Sequence, residues 1–436
     1  MTNTYNYHGK LISISDAVSK INSGDRIGLA IAASEPNGLL IELANQKDRL
    51  EDVHTWVCLP MRSYDYAVNP EMADHFFVEN WFYGAYDRQV HSQGRMSYIP
   101  NNLHRAASDK LHATGGKLNV FWGTATPPDE RGYMSLSLSL VVEKELIQAA
   151  DLVVLEINEN LPWTLGDTQI HISEVDYVVE NHIPLFELPA ALSSETEQKI
   201  GEHIAELIED GATLQLGIGG IPNAITQFLR NHKDLGIHTE MFNDGMVDLY
   251  EAGAVTNRKK SIYKGKMVGA FALGSHKLYD FINNNIGVEF LQGKITNNPY
   301  VIGQNYKMIS VNTALQVDIF GQVCSQSIGY KHFSGTGGQL DTHRGAQLSP
   351  GGRGIIALRS TAKNGEISTI VPTLSLGAEV TVPSHCVDTI VTEFGIAELR
   401  GRSLYERAKA LIQIAHPDKR EMIAAEVRKL GIVPSL

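Results

Sequence analysis

Residues 211–245, GATLQLGIGGIPNAITQFLRNHKDLGIHTEMFNDG, decide how the chain is read. Ala212 to Leu216 predicts a short buried strand, Gly217-Ile218-Gly219-Gly220 a glycine-rich turn, and Pro222 to Arg230 a helix with proline in its first turn. Glycines there let a ligand approach the backbone, and the free N–H groups at the helix start favour an anion or a developing oxyanion. A second short run, Leu235 to Thr239, then delivers one carboxylate, Glu240, before the acidic turn Asn243-Asp244-Gly245. In open α/β sheets ligands collect outside the carboxyl ends of the strands, so Glu240 and the glycine turn are placed to share a crevice. Each piece also has a plain reading: glycine turns serve tight packing, and a lone Glu at a strand end caps or faces water.

Working outward, residues 16–43 (DAVSKINSGDRIGLAIAASEPNGLLIEL) run parallel to residues 203–229 (HIAELIEDGATLQLGIGGIPNAITQFL). Both give helix, glycine, apolar strand, small-residue turn, then Pro-Asn and an amphipathic helix, with Pro36-Asn37 matching Pro222-Asn223. Two domains of like architecture are the expectation, against the alternative of two ordinary βα units. Lys117 to Gly123, Asp151 to Asn158 and Pro184 to Leu188 are further strand candidates in the first half, with helical spacing over Val141 to Ala150. Lys266 to Gly274, Gly354 to Leu358, Ile367 to Val371 and Asp388 to Thr392 follow in the second. The alternation argues for α/β domains with mainly parallel, buried sheets. Ser194 and Glu197 stand at capping-box spacing in a polar stretch, which sets domains at 1–193 and 194–436. Leu404 to Lys429 predicts two helices broken near Pro417. Residues 330–353, rich in glycine and poor in periodicity, predict a long backbone-lined loop of functional kind.

At 436 residues, two domains are the default, and 43% apolar with 20% charged residues is an ordinary globular balance. The polar N-terminus argues against a signal peptide, and no long apolar window argues against a membrane span. Cys58, Cys324 and Cys386 form no CxxC pair, which fits a reducing, cytoplasmic setting and gives no zinc framework. No histidine spacing suggests a metal. A net charge of −12 disfavours a nucleic-acid partner. Local helix starts and single lysines still suit a small anion.

Six segments in one order resemble the class I coenzyme A transferases, in the branch of 4-hydroxybutyrate and acetate CoA-transferases and acetyl-CoA hydrolases. They are Pro127 to Ser135 (PPDERGYMS), Gly217 to Asn223 (GIGGIPN), His238-Thr239-Glu240, Ser310 to Asp318 (SVNTALQVD) leading to Gly321-Gln322-Val323, Ser334 to Gln339 (SGTGGQ), and Ser360 to Lys363 (STAK). The resemblance implies two similar open α/β domains with the active site at their interface, and a homodimer or larger assembly. It implies no tightly bound cofactor, with coenzyme A as substrate and as covalent intermediate. The partners implied are acyl-CoA and small carboxylic acids, with 4-hydroxybutyrate and acetate the best single guess. Glu240 matches the family's nucleophile, which would carry a glutamyl-CoA thioester in a ping-pong exchange. Gly335, Gly337 and Gly338 are expected to supply the oxyanion hole. CoA-binding positions carry over to Gly219, Gly220, Ile221, Pro222 and Asn223, to Gly337 and Gly338, and to Lys363, which stands equally well as a solvated turn residue.

Two other readings stay open: a short acyl-CoA hydrolase on the same scaffold, and a non-catalytic CoA-ester sensing module. The second would need a DNA-binding or partner segment, and no basic helix-turn-helix appendage is present. Ser34-Glu35-Pro36, at the first-half counterpart of the glycine turn, either lines the acyl pocket or packs as a turn. The cluster Trp81-Phe82-Tyr83 with Tyr86 reads most simply as an aromatic core patch.

Overall fold

Short apolar runs become strands buried on both faces, which is the signature of a parallel sheet covered by helices. In the computed structural model, which describes residues 7, 9–189 and 191–431, they assemble two large sheets. The first comprises β1 (Arg26–Leu29), β2 (Val53–Val57), β3 (Phe76–Asn80), β4 (Met96–Tyr98), β5 (Leu118–Ala125), β6 (Ala150–Ile157) and β7 (Tyr177–Glu180). Their order is β4-β3-β2-β1-β5-β6-β7, and every pair is parallel. Helix α1 (Asn37–Asn45) buries Leu39, Leu40 and Leu43 in a core shared with Ile27, Leu29 and Val120.

The second sheet comprises β8 (Thr213–Leu216), β9 (Gly236–Ile237), β10 (Met308–Thr313), β11 (Arg353–Ala357), β12 (Thr389–Thr392) and β13 (Gly395–Glu398). Its order is β9-β8-β10-β11-β12-β13, parallel except for the antiparallel pair β12 and β13. Around it lie α2 (Glu195–Ala205), α3 (Gly220–Phe228), α4 (Gln339–Leu348), α5 (Leu404–Ile414) and α6 (Pro417–Lys429). Ser194 and Glu197 do form a capping box at the start of α2, and the chain breaks between α5 and α6 just before Pro417. In each sheet successive strands are added first to one side and then to the other. The direction reverses between β1 and β5 in the first and between β8 and β10 in the second, and crevices at such switch points are where open α/β sheets hold ligands.

One compact unit runs to Leu188 and takes in Val268–Ile295, while the other comprises Pro189–Met267 and Thr296–Leu436. Val268–Ile295 thus leaves the continuous 194–436 segment of the linear reading. Other expectations also change. Residues 184–188 form no strand, beginning as they do with a proline that has no N–H to donate. Lys266 to Gly274 gives only the short pieces Met267–Gly269 and Phe271–Ala272, and Ile367 to Val371 gives Ile367–Ser368 and Ile370–Val371, all outside the large sheets. The stretch 330–353 is no continuous loop, because α4 occupies its centre. That helix buries Asp341, Thr342, His343, Gly345 and Ala346, so polar and small residues hide its apolar stripe. Trp81 and Tyr83 are buried, and Trp81 meets Trp56 edge-on, as a core patch should. Among the described residues, no helix is long and apolar enough to cross a membrane.

Candidate active site

Glu240 follows β9, and its segment is tied to the carboxyl end of β8. The His238 amide donates to the Leu214 carbonyl at 3.0 Å and Thr239 Oγ1 to the Leu216 carbonyl at 3.4 Å. Asn243 Nδ2 donates to the Gly217 carbonyl at 2.8 Å. The carboxylate is therefore fastened beside the glycine turn that the sequence paired with it.

The buried ring of His238 makes the next link, since Nε2 lies 3.0 Å from the Thr296 carbonyl and Nδ1 3.3 Å from Asn305 Nδ2. Burial, with help from nearby Lys260, pushes its pKa down to about 3. A neutral imidazole donating from Nε2 fits both bonds, so His238 is a structural tie rather than a base. What it ties is the segment bearing Asn297.

Asn297 Nδ2 donates to Glu240 Oε2 at 2.7 Å. Gly338, the N-cap of α4, donates its backbone N–H to the same carboxylate. A Cβ at Gly338 would lie 2.0 Å from Glu240 Oε2 and 2.1 Å from Asn297 Nδ2, so the approach requires glycine. Loss of water pushes the Glu240 pKa up to about 7, and buried Asp341 adds to the rise, while the Asn297 and Gly338 bonds oppose it. The positive end of α4 favours the ionised form as well. The result is a carboxyl group oriented by two donors and partly ionised near neutral pH, so that the nucleophilic carboxylate form is available there.

Below this group lies the switch point between β8 and β10. Gln215 and Ser310 are partners in register there. Ser310 Oγ donates to Gln215 Oε1 at 2.6 Å and meets Thr342 Oγ1 of α4 at 3.0 Å. Asn312 Nδ2 reaches Gln215 Oε1 at 3.3 Å and Thr342 Oγ1 at 3.1 Å. These bonds fix the first turn of α4 against the sheet, and with it the Gly338 amide.

The glycine turn divides its labour. Gly219 adopts φ 110 and ψ −176, a region open essentially to glycine alone. A Cβ at Gly217 or Gly219 would meet nothing within 4 Å, so space lies open over the turn. Gly220 instead packs inward, where a Cβ would stand 2.3 Å from Glu197 Oε2. No side chain caps α3, whose first-turn amides remain available to an anion. The equivalent helix start in the first unit is closed, because Glu156 Oε2 accepts from Gly38 N at 2.9 Å and Leu39 N at 3.1 Å. Gly219→Ala is expected to raise KM for a CoA ester while costing roughly 1–3 kcal/mol of stability from backbone strain, checked by steady-state kinetics and thermal unfolding.

Of the loop glycines, Gly338 reaches the carboxylate. Gly337 turns the chain with φ 50, and Gly335 accepts from Ser334 Oγ at 3.3 Å through its carbonyl. Asn223 in α3 uses Nδ2 to hold the Ala191 carbonyl at 2.8 Å, while Ile221 and Pro222 are buried. Lys363 sits exposed at φ 48 on the turn between Thr361–Ala362 and Ile367–Ser368, with no carboxylate partner among the described residues. Asn297 and Asp341 went unread because an Asn-Asn-Pro turn and an aspartate in a glycine-rich stretch signal nothing local. Gln215 had a signal, as the polar residue inside the apolar run ATLQL. No group of three or more His, Cys, Asp and Glu among the described residues could hold a metal ion.

Comparison with known proteins gives the family. Residues 1–186 match the acetyl-CoA hydrolase/transferase N-terminal domain and residues 274–427 the corresponding C-terminal domain. The chain is 45% identical to a 4-hydroxybutyrate coenzyme A transferase of Clostridium kluyveri, covering 97% of this chain and 98% of that one. It is 42% identical to a succinyl-CoA:cyclohexane-1-carboxylate CoA transferase of Geobacter metallireducens, over 98% and 96%. The crystal structure of RipA from Yersinia pestis superposes with a TM-score of 0.90 at 35% identity, covering 98% of each chain. Proteins named acetyl-CoA hydrolases stand further off, at 26% and 27% identity.

Proposed function

The chain belongs to the acetyl-CoA hydrolase/transferase family and is a CoA-transferase, and from that premise we propose that Glu240 carries CoA between a short acyl-CoA and a small carboxylic acid. The observation that carries this reading is the Glu240 carboxylate, held by Asn297 and Gly338 beside an open glycine turn. A Glu240 oxygen attacks the thioester carbonyl, the C–S bond breaks, and CoA leaves as thiolate from an acyl-glutamyl anhydride. The thiolate then attacks the Glu240 carbonyl carbon, the anhydride C–O bond breaks, and the first acid departs as carboxylate. A second acid runs the same steps in reverse, so thioester energy is conserved and no ATP is needed.

Charge develops on a glutamyl oxygen when thiolate attacks, and Asn297 Nδ2 with the Gly338 amide is already placed to receive it. The open amides of α3 suit the CoA diphosphate, with Lys363 as a candidate counter-charge. By likeness to the Clostridium kluyveri protein, 4-hydroxybutyrate is one acid proposed, and acetate is the other on the resemblance of the sequence motifs. The diffusible substrates and three buried cysteines, none in a disulfide among the described residues, fit a reducing cytoplasm, and a homodimer or larger is the expected assembly.

Mixing the enzyme with acyl-CoA, with and without acceptor acid, tests the reading. A transferase consumes thioester in proportion to added acid and little without it, whereas steady consumption in water alone makes the protein a hydrolase. The carboxylate is the reactive form, so kcat/KM is expected to rise with pH through about 7 and level off above, and a profile flat from pH 5.5 to 8 contradicts the assignment.

A further inference from the structure

Asp341 stands beside Glu240, yet the exchange above gives it no step. It is the third residue of α4 and is 2% exposed. The Thr342 amide donates to the Gly338 carbonyl at 2.8 Å, so Gly338, Asp341 and Thr342 lie on one face of a regular first turn. Two members of that face are already located: a Cβ at Gly338 would stand 2.0 Å from Glu240 Oε2, and Thr342 Oγ1 meets Ser310 Oγ at 3.0 Å. Cβ positions three apart on a helix are about 5–6 Å from one another, which sets Asp341 within one turn of the Glu240 carboxylate. An aspartate in a first turn is favoured as an anion by the helix dipole. The other groups that meet Glu240, Asn297 and the Gly338 amide, are uncharged, and His238 on its own segment is neutral with Lys260 beyond it. Two carboxylates so placed repel while Glu240 is charged, and the repulsion ends when it is not. Loss of water does most to bring the Glu240 pKa up to about 7, and this repulsion adds to it.

Covalent transfer ends the repulsion just as protonation does. Over one half-reaction the C–S bond to the first acyl group breaks and a C–S bond to the Glu240 carbonyl forms. One Glu240 oxygen and its negative charge leave with the first acid, so the side chain becomes a neutral thioester. We propose that Asp341 is a positioning residue that acts through Glu240: its fixed charge drives the glutamate out of the carboxylate form and into the thioester, so that the enzyme holds CoA between half-reactions. The proposal rests on the CoA-transfer reading and adds what stabilises its covalent state.

The test equilibrates the native enzyme and Asp341→Asn with acetyl-CoA and acetate at one fixed ratio, at about pH 8.5, and reads the fraction carrying CoA from the intact mass. The ratio of thioester to free carboxylate is expected to fall about tenfold in the variant. The midpoint of kcat/KM against pH is expected to move below the native value of about 7 by the matching amount, because both report one lost repulsion. Asp341→Glu, which keeps the charge, is expected to hold both readouts near native. A folded Asp341→Asn that moves only one of the two, or neither, overturns the proposal whatever happens to kcat, and leaves the transferase reading standing. A change in Asp341→Glu as large as in Asp341→Asn also overturns it, because shape rather than charge then decides. Absence of covalent CoA on the native enzyme removes both readings. Thermal unfolding checks each variant, and Asp341→Ser replaces Asp341→Asn if the latter does not fold.

Discussion

Glu240→Ala is expected to lower kcat for CoA transfer by on the order of 10⁴-fold or more, the scale of loss when a covalent nucleophile is removed. The variant should unfold at the native temperature or slightly above it. Loss of water already disfavours the charge at this position, so alanine relieves a penalty while giving up two hydrogen bonds. Activity lost together with a large drop in Tm indicates a structural role instead. Activity kept at even a tenth of native excludes Glu240 as the group that carries CoA.

The second large effect is expected at Gly338. Its substitution by alanine puts a methyl group 2.0 Å from Glu240 Oε2 and 2.1 Å from Asn297 Nδ2. Both are ends of side chains, which can rotate away, so the protein is expected to fold. What it loses is the alignment of carboxylate, amide and Asn297, and kcat is expected to fall by about 10²–10³-fold, the cost of losing an oxyanion donor. Asn297→Ala removes one of the donors without the clash and belongs at the lower end of that range. If the Gly338 variant keeps native kcat, the loop only covers the site and does not act on the carboxylate.

Much of this site was legible before any coordinates. The strand, glycine turn and helix of 213–228 were readable because their signals are local: an apolar run, φ-permissive glycines and proline in the first turn. Glu240 was readable because it follows a short apolar run at a strand end. Resemblance supplied Gly338 as part of the SGTGGQ segment, but not its reason, which is close approach to two side chains from distant parts of the chain. Asn297, Asp341 and the bonds among Gln215, Ser310, Asn312 and Thr342 arise only when β8, β10 and α4 meet, and no window of sequence contains all three. Helix α4 was hidden for a related reason. It lies over the end of the sheet where the site is built, so it buries aspartate, threonine and histidine rather than an apolar stripe. Strands β2 to β4 were missed because polar residues such as His54, Thr55 and Glu79 interrupt their short apolar runs. The place of Val268–Ile295 in the first unit is likewise a matter of tertiary contact, with no linker or composition shift to announce it.

The most direct test is the mass of the protein after brief incubation with acyl-CoA and no acceptor acid. We expect one CoA joined per chain through an acyl linkage, lost on adding acetate or hydroxylamine, and mapped by peptide sequencing to Glu240. CoA attached to another residue, or rapid transfer with no covalent CoA at any time point, contradicts the account.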